Sequence, residues 1–280
     1  MPDRRDAWQK EVVRLQRLAV DNPKDQQVKS DLLILLARFR ERFPSAVAAD
    51  PASVTRLRDL LVQVRLQGEQ GDLVKALDLM FLGKWEEAKP LLDRLAAMGE
   101  DPYIPYLQGR LALAQGRTDD AQREFEKALA GDASMLAAAY SSGLVQLKKK
   151  DLAKARATFE SILGREGEHL GARLGLAEVS LASGDADGAR RMAGEVIAKA
   201  QPGADADDLF GAHLLLSRVE NQKGAREERL RELRAALGIR PTDPEAAVEV
   251  ATLLRADGKT GEALAALGPA REAGKEDRKS

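Results

Sequence analysis

The chain has 280 residues, 44% hydrophobic but 4% aromatic, with 44 basic residues against 45 acidic and a formal net charge of −1. Its apolar content is mostly Ala, Leu and Val, which suits close-packed helices over sheets, and it lacks the basic excess expected of a nucleic-acid binder. The absence of cysteine excludes disulfides and thiolate metal sites.

Residues 1–68 predict an N-terminal cap of three helices, near 5–20, 24–42 and 52–67, broken by Asn22-Pro23, Pro44 and Asp50-Pro51. The opening residues carry no apolar signal segment. Asp50 followed by Pro51 is a strong helix start: a capping acceptor, then a proline whose missing N–H costs nothing at the first helical position. The stretch Leu18 to Pro23 reads like the close of a repeat's second helix, so the first two helices resemble divergent repeat material. The second carries Leu32-Leu33-Ile34-Leu35-Leu36, apolar all round, and must be covered on more than one side. Packing between its neighbours, a tuck into a groove of the array, or a self-interface using this run with Phe39 (residues 24–42) would each cover it. The longest apolar run, Leu32 to Ala37, falls far short of the ~20 residues of a membrane span, so no membrane insertion and a cytoplasmic location are expected.

From residue 69 onward the sequence repeats. Turn glycines stand at Gly83, Gly116, Gly184, Gly224 and Gly258, spaced by 33, 68 (twice 34), 40 and 34 residues, and the missing member falls at Lys150. Five residues after the turns come Ala88, Ala121, Ala155, Ala189, Arg229 and Ala263. Seven residues before them come Ala76, Gly109, Gly143, Ala177, Ser217 and Ala251. Small residues at such places let two helix axes approach closely. Larger apolar residues nine positions after the turns, Phe125 and Phe159 among them, share a face with those at twelve and pack on the next unit. Each unit is thus a helix, a turn and a second helix, too short to fold unaided, and the units must stack. The expected units run near 69–101, 102–135, 136–169, 170–207, 208–243 and 244–272. The 40-residue spacing puts extra residues at Gln201 to Asp207, read as a longer link or hinge. Gly268-Pro269 is expected to stop the last helix, leaving 273–280 as a frayed tail.

Chemistry-bearing residues are few. His169 falls in an inter-repeat link and His213 in a first helix, neither with a partner at metal-ligand spacing. Gly258-Lys259-Thr260 lacks the upstream glycine and strand of a phosphate loop. The pairs Glu86-Glu87 and Asp119-Asp120 open second helices, where the N-terminal dipole favours acid, and adjacent helical residues point apart. Lys148-Lys149-Lys150 and Arg226 to Arg234 read as solvated faces. No catalytic residue, metal or cofactor is expected.

The period of 34, with Gly116 to Leu129 (GRTDDAQREFEKAL) and Ala236 to Pro241 (ALGIRP), resembles the tetratricopeptide repeat family over about residues 69–272. Two family aromatics are replaced: one by Asp72, Pro105, Ala139, Arg173, His213 and Ala247, the other, four before the turn, by Leu79, Ala112, Gln146, Ser180, Glu220 and Leu254. The resemblance implies an all-α, right-handed α-solenoid of about six helical hairpins, with first helices lining a concave groove. On that wall it places Leu73, Leu77, Met80 and Phe81, then Tyr103, Tyr106, Arg110 and Leu113, then Tyr140, Leu144, Leu147 and Lys148. Leu174, Glu178 and Leu181 follow, then Leu214, Arg218 and Asn221, and last Val248, Thr252 and Arg255. All three tyrosines fall there, and a large ring with a polar tip suits a wet binding surface. The family's clamp for chaperone C-termini is absent, its places being held by Leu73, Leu77, Leu107, Ala137 and Ser141. The implied function is a non-catalytic scaffold or adaptor that holds another protein's peptide or amphipathic helix and helps assemble a larger machine. The alternatives are a homo-oligomerisation module built on the N-terminal helices and a helical-repeat RNA binder.

Overall fold

The computed structural model describes residues 5–42, 50–64, 66–99, 101–203 and 205–276. Among these, fifteen helices follow one another and no strand forms. They are α1 (Arg5–Asp21), α2 (Gln26–Arg42), α3 (Pro51–Gln63), α4 (Gly68–Phe81), α5 (Trp85–Met98), α6 (Tyr103–Ala114), α7 (Thr118–Gly131) and α8 (Leu136–Lys148). Then come α9 (Leu152–Arg165), α10 (Leu170–Ala182), α11 (Ala186–Lys199), α12 (Ala206–Lys223), α13 (Arg226–Ile239), α14 (Pro244–Ala256) and α15 (Thr260–Glu276). The chain divides into two compact units, Met1–Asp151 and Leu152–Ser280. Most of these helices are too short to persist alone in water, so packing holds them.

All six predicted turns share one backbone device. The residue after the turn position donates its N–H to the carbonyl five residues back: Lys84 to Leu79, Arg117 to Ala112, Asp151 to Gln146, Asp185 to Ser180, Ala225 to Glu220 and Lys259 to Leu254, at 2.8–2.9 Å. This is the bond of a Schellman cap. Because it uses backbone alone, side chains as different as Leu79, Gln146 and Glu220 serve equally at the position where the family's aromatic is missing. The device needs a left-handed residue at the turn, and Gly83, Gly116, Gly184, Gly224 and Gly258 have φ of 69° to 88°. Lys150, where the phase demanded a turn and the sequence has no glycine, sits at φ 63°. Left-handed backbone costs a Cβ-bearing residue about 1–2 kcal/mol, partly offset by the extra unfolded-state freedom of glycine. Lys150→Gly is therefore expected to stabilise the protein by about 0.5–1 kcal/mol, read as a raised urea midpoint at constant slope. An unchanged or lowered midpoint would refute this.

In the first unit, Ala76, Leu77, Ala88, Leu92, Leu107, Ala121, Phe125 and Ala128 are sealed from solvent. A Cβ at Gly109 would stand 2.5 Å from the Phe125 ring, so the ring of α7 lies flush on the backbone of α6. In the second unit, Ala155, Phe159, Ala177, Ala189, Ala193, Val196, Ala212, Leu215, Leu233 and Ala236 are equally buried. There Phe159 of α9 presses on Gly175 of α10 in the same way. Each sealed aromatic contributes about 2–3 kcal/mol of burial. The lone break in the small-residue pattern, Arg229, is half-buried and bonds Asn221 and Glu249, at 2.8 and 2.7 Å.

The cap departs from its sequence reading in detail. Asp50 caps α3, accepting from the Ala52 N–H at 3.2 Å, but α3 ends at Gln63, four residues early. The break at Pro44 lies outside the described residues. The link from α1 to α2 repeats the hydrogen bonds of later inter-repeat links: Asn22 N–H to Leu18, then Asp25 N–H to Asn22, matching Asp132 to Ala128 and Met135 to Asp132. The two helices thus join as successive repeats do.

Two other expectations are corrected. The extra residues of the 40-residue spacing do not all go into the link. α12 has 18 residues, where the first helices α4, α6, α8, α10 and α14 have 12 to 14. Acidic Asp207 and Asp208 in its first turn favour that added turn electrostatically. Nor does Gly268-Pro269 end the last helix, which runs on to Glu276. Pro269 gives up one helical N–H bond and crowds the carbonyl four residues back, while Gly268, with no Cβ, relieves the further restriction that a proline places on the residue before it.

Candidate functional site

Most of the expected wall residues fall ten, six and three positions before a turn, on one face of each first helix, with Tyr103 at thirteen and Phe81 and Lys148 at two. On α4 and α6 this face is covered by the chain itself. Helix α2 packs along α4 and carries its last turn onto α6. Its apolar run is spent on this burial: Leu32, Leu33, Leu35, Leu36 and Phe39 are all 6% exposed or less. Phe39 also stacks on Trp8 of α1 at 6.1 Å. That removes the reason the sequence offered for a self-interface through residues 24–42.

The contact is led by Glu41, whose side chain is 4% exposed. The Tyr103 and Tyr106 hydroxyls donate to its two carboxylate oxygens at 3.0 and 3.2 Å. Arg110 donates to the same carboxylate and, at 3.2 Å, to the Glu41 carbonyl. Burial draws the Arg110 guanidinium below its ordinary pKa. Two arginines flank this centre. Arg38 lies 4.6 Å over the Tyr103 ring and reaches Asp101 at 3.7 Å. Arg40 bonds Asp78 at 2.8 Å and lies 4.2 Å over the Phe81 ring. Tyr103 and Tyr106 stack at 5.7 Å. Three ring and guanidinium groups thus converge on one helix-borne carboxylate.

Of the first unit's wall residues, Leu73, Leu77, Met80 and Tyr106 are buried, and Tyr103, Arg110, Leu113, Tyr140 and Leu147 are half-buried. Phe81, Leu144 and Lys148 are exposed. Glu41, Arg38 and Arg40 were not foreseen as their partners. The signal was present in the abrupt change from Leu32–Ala37 to Arg38-Phe39-Arg40-Glu41.

In the second unit the equivalent face is open. Glu178, Leu181, Ala182, Arg218, Asn221 and Gln222 of α10 and α12 line a cleft of about 360 Å³. Arg218 and Glu178 bond each other across it, their side chains 51% and 26% exposed. Leu174 and Leu214 are half-buried, while Val248 is 54% exposed. Thr252 and Arg255 are exposed, the Thr252 hydroxyl donating to the Val248 carbonyl at 2.7 Å.

A lateral ladder ties neighbouring repeats at the turn edge. Residues three after a turn meet residues one before the next: Glu86 with Gln115 at 2.5 Å, Asp119 with Lys149 at 2.6 Å, and Asp187 with Lys223 at 2.5 Å. Hydrogen bonds from Lys149 and Lys223 hold the Asp119 and Asp187 carboxyls below their ordinary pKa. Read from sequence, Glu86 and Asp119 served only the helix dipole; their repeat spacing from the amide or lysine could have revealed the ladder. His169 caps α10, accepting from the Ala172 N–H at 3.1 Å. His213 does gain a carboxylate, Glu232 of α13 at 2.8 Å, a contact its helix alone could not show. No group of three His, Cys, Asp or Glu fit to hold a metal occurs among the described residues, and no described helix is long and apolar enough to cross a membrane.

Two family models, both described as tetratricopeptide repeat, match residues 106–169 and 146–209. No curated protein sequence matches the chain. Among solved structures, the APC/C hetero-tetramer Cut9-Hcn1 is similar with a TM-score of 0.72 at 12% identity, over 94% of this chain and 49% of that one. The chain thus spans about half the length of that relative. Human IFIT1, solved as a dimer with PPP-AAAA, gives 0.65 at 16% identity, over 95% of this chain and 68% of that one. TTC0263, a thermophilic TPR protein in Thermus thermophilus, gives 0.53 at 25% identity, over 61% of this chain and 90% of that one.

Proposed function

Since this chain is a tetratricopeptide repeat protein, we propose that it is a non-catalytic adaptor that holds a helical segment of another protein on the inner face of its first helices. The observation that carries this reading is intramolecular: the first unit's wall holds helix α2, and Tyr103, Tyr106 and Arg110 close on the Glu41 carboxylate. A wall built to seat one helix by aliphatic contact and a single buried charge has the chemistry to seat another. On α4 and α6 that place is taken, so the working surface is the open wall of the second unit, with Leu174, Glu178, Leu214, Arg218 and Val248. The protein acts in the assembly of a larger complex, in the cytoplasm.

Val248→Asp is the direct test, since the side chain is half-exposed and its replacement leaves the core intact. A cross-linking pull-down from the source cells is expected to lose its specific partner with Val248→Asp and to keep it with a substitution on the outer face, such as Arg231→Ala. Retention of every partner by Val248→Asp would remove the second wall from consideration.

A further inference from the structure

We propose that the second unit's wall selects an acidic amphipathic helix, whose carboxylates are received by Arg218 and Arg255. The inference rests on the adaptor reading and adds the chemistry of its ligand. Repeat phase supplies the first argument. Arg218 stands six residues before Gly224, as Arg110 stands six before Gly116. In the first unit that arginine receives the carboxylate of a helix lying on the wall. In the second it meets only the neighbouring repeat's Glu178, at the open surface. A ligand carboxylate arriving there would meet the same group in the same place on its repeat.

Charge is the second argument. Glu178 and Arg218 cancel, and Arg255, three residues before Gly258, is exposed and has no ion-pair partner among the described residues. The turn-side half of the wall is therefore net positive. Beside it Leu174, Leu214 and Val248, each ten residues before its turn, form an aliphatic stripe running across α10, α12 and α14. Glu245 opens α14, ten residues from Arg255, about 15 Å along the helix. The wall thus has a sign gradient, and it orients the ligand with its acidic flank toward the turns. A basic helix would bring like charge against Arg218 and Arg255, which disfavours it.

The test uses the full chain and a designed peptide of about four helical turns, leucine along one face and glutamate along one flank, against a twin with lysine in place of glutamate. The glutamate peptide is expected to bind about tenfold more tightly than the twin, with a preference that weakens as salt rises. Arg218→Gln/Arg255→Gln is expected to erase the preference, and Arg218→Glu/Arg255→Glu to reverse it. Both pairs change exposed side chains, and unaltered thermal unfolding would show the fold is kept. Equal binding of both peptides, lost with Val248→Asp, would overturn the acidic preference while sustaining the adaptor reading. Binding indifferent to all three variants, or no binding of either peptide, would overturn the acidic-ligand proposal; indifference would also remove this wall from the adaptor reading.

Discussion

Gly175→Ala should destabilise the second unit by about 2–3 kcal/mol, although alanine is the better helix former by about 1 kcal/mol. The reason is the Phe159 ring, three atoms of which would stand 2.5, 2.6 and 2.7 Å from the new methyl. Phe159 is sealed on every side, so the ring cannot swing clear and the helices must part. Truncating the other partner, Phe159→Ala, should cost about 3–5 kcal/mol through lost burial and the cavity left behind. The decisive measurement is the double mutant. With Phe159→Leu as the second change, the clash at Gly175→Ala is relieved, and the pair should be less destabilised than the sum of its singles by about 1–2 kcal/mol. Additivity in urea unfolding would mean that glycine and ring do not meet as described.

The second large effect is expected at Glu41. Glu41→Ala leaves the Arg110 guanidinium and two tyrosine hydroxyls facing a site from which their acceptor has gone. Breaking a buried ion pair costs about 3–5 kcal/mol when the remaining charge is fully enclosed. Arg110 is 35% exposed and recovers some water, so about 2–3 kcal/mol is the expected loss, seen as a lower unfolding temperature. Glu41→Gln keeps one acceptor oxygen and sets its NH2 against the other hydroxyl, which must turn to accept, and should lose roughly half as much. If Glu41→Ala unfolds within about 0.5 kcal/mol of the parent chain, the cluster does not secure α2, and the intramolecular precedent for helix binding falls with it.

Both effects arise where distant parts of the chain meet, and the two differ in how visible they were beforehand. The Gly175–Phe159 contact was half legible. The phase put an aromatic nine residues after one turn and a small residue near the next crossing, but it assigned the crossing to the position of Ala177 rather than Gly175. The grip on Glu41 was not legible. Its bonds to Tyr103 and Tyr106 span 62 and 65 residues, and no periodicity links a cap helix to the inner face of a repeat. The family resemblance set Tyr103, Tyr106 and Arg110 on one wall, but nothing in it named Glu41 as the group they close on.

The helices, their turns and their phase were determined by the sequence alone. A left-handed turn, a small residue at a crossing and a capping carboxylate each act within a few residues, so local composition suffices to write them. That even Lys150 takes the positive φ of a missing glycine shows how firmly the phase binds the chain. Tertiary structure alone decided which inner walls are free. Covering Tyr106 with α2 and leaving Val248 in water depends on where an apolar helix finds the most surface to bury, and that is a property of the assembled stack rather than of any segment.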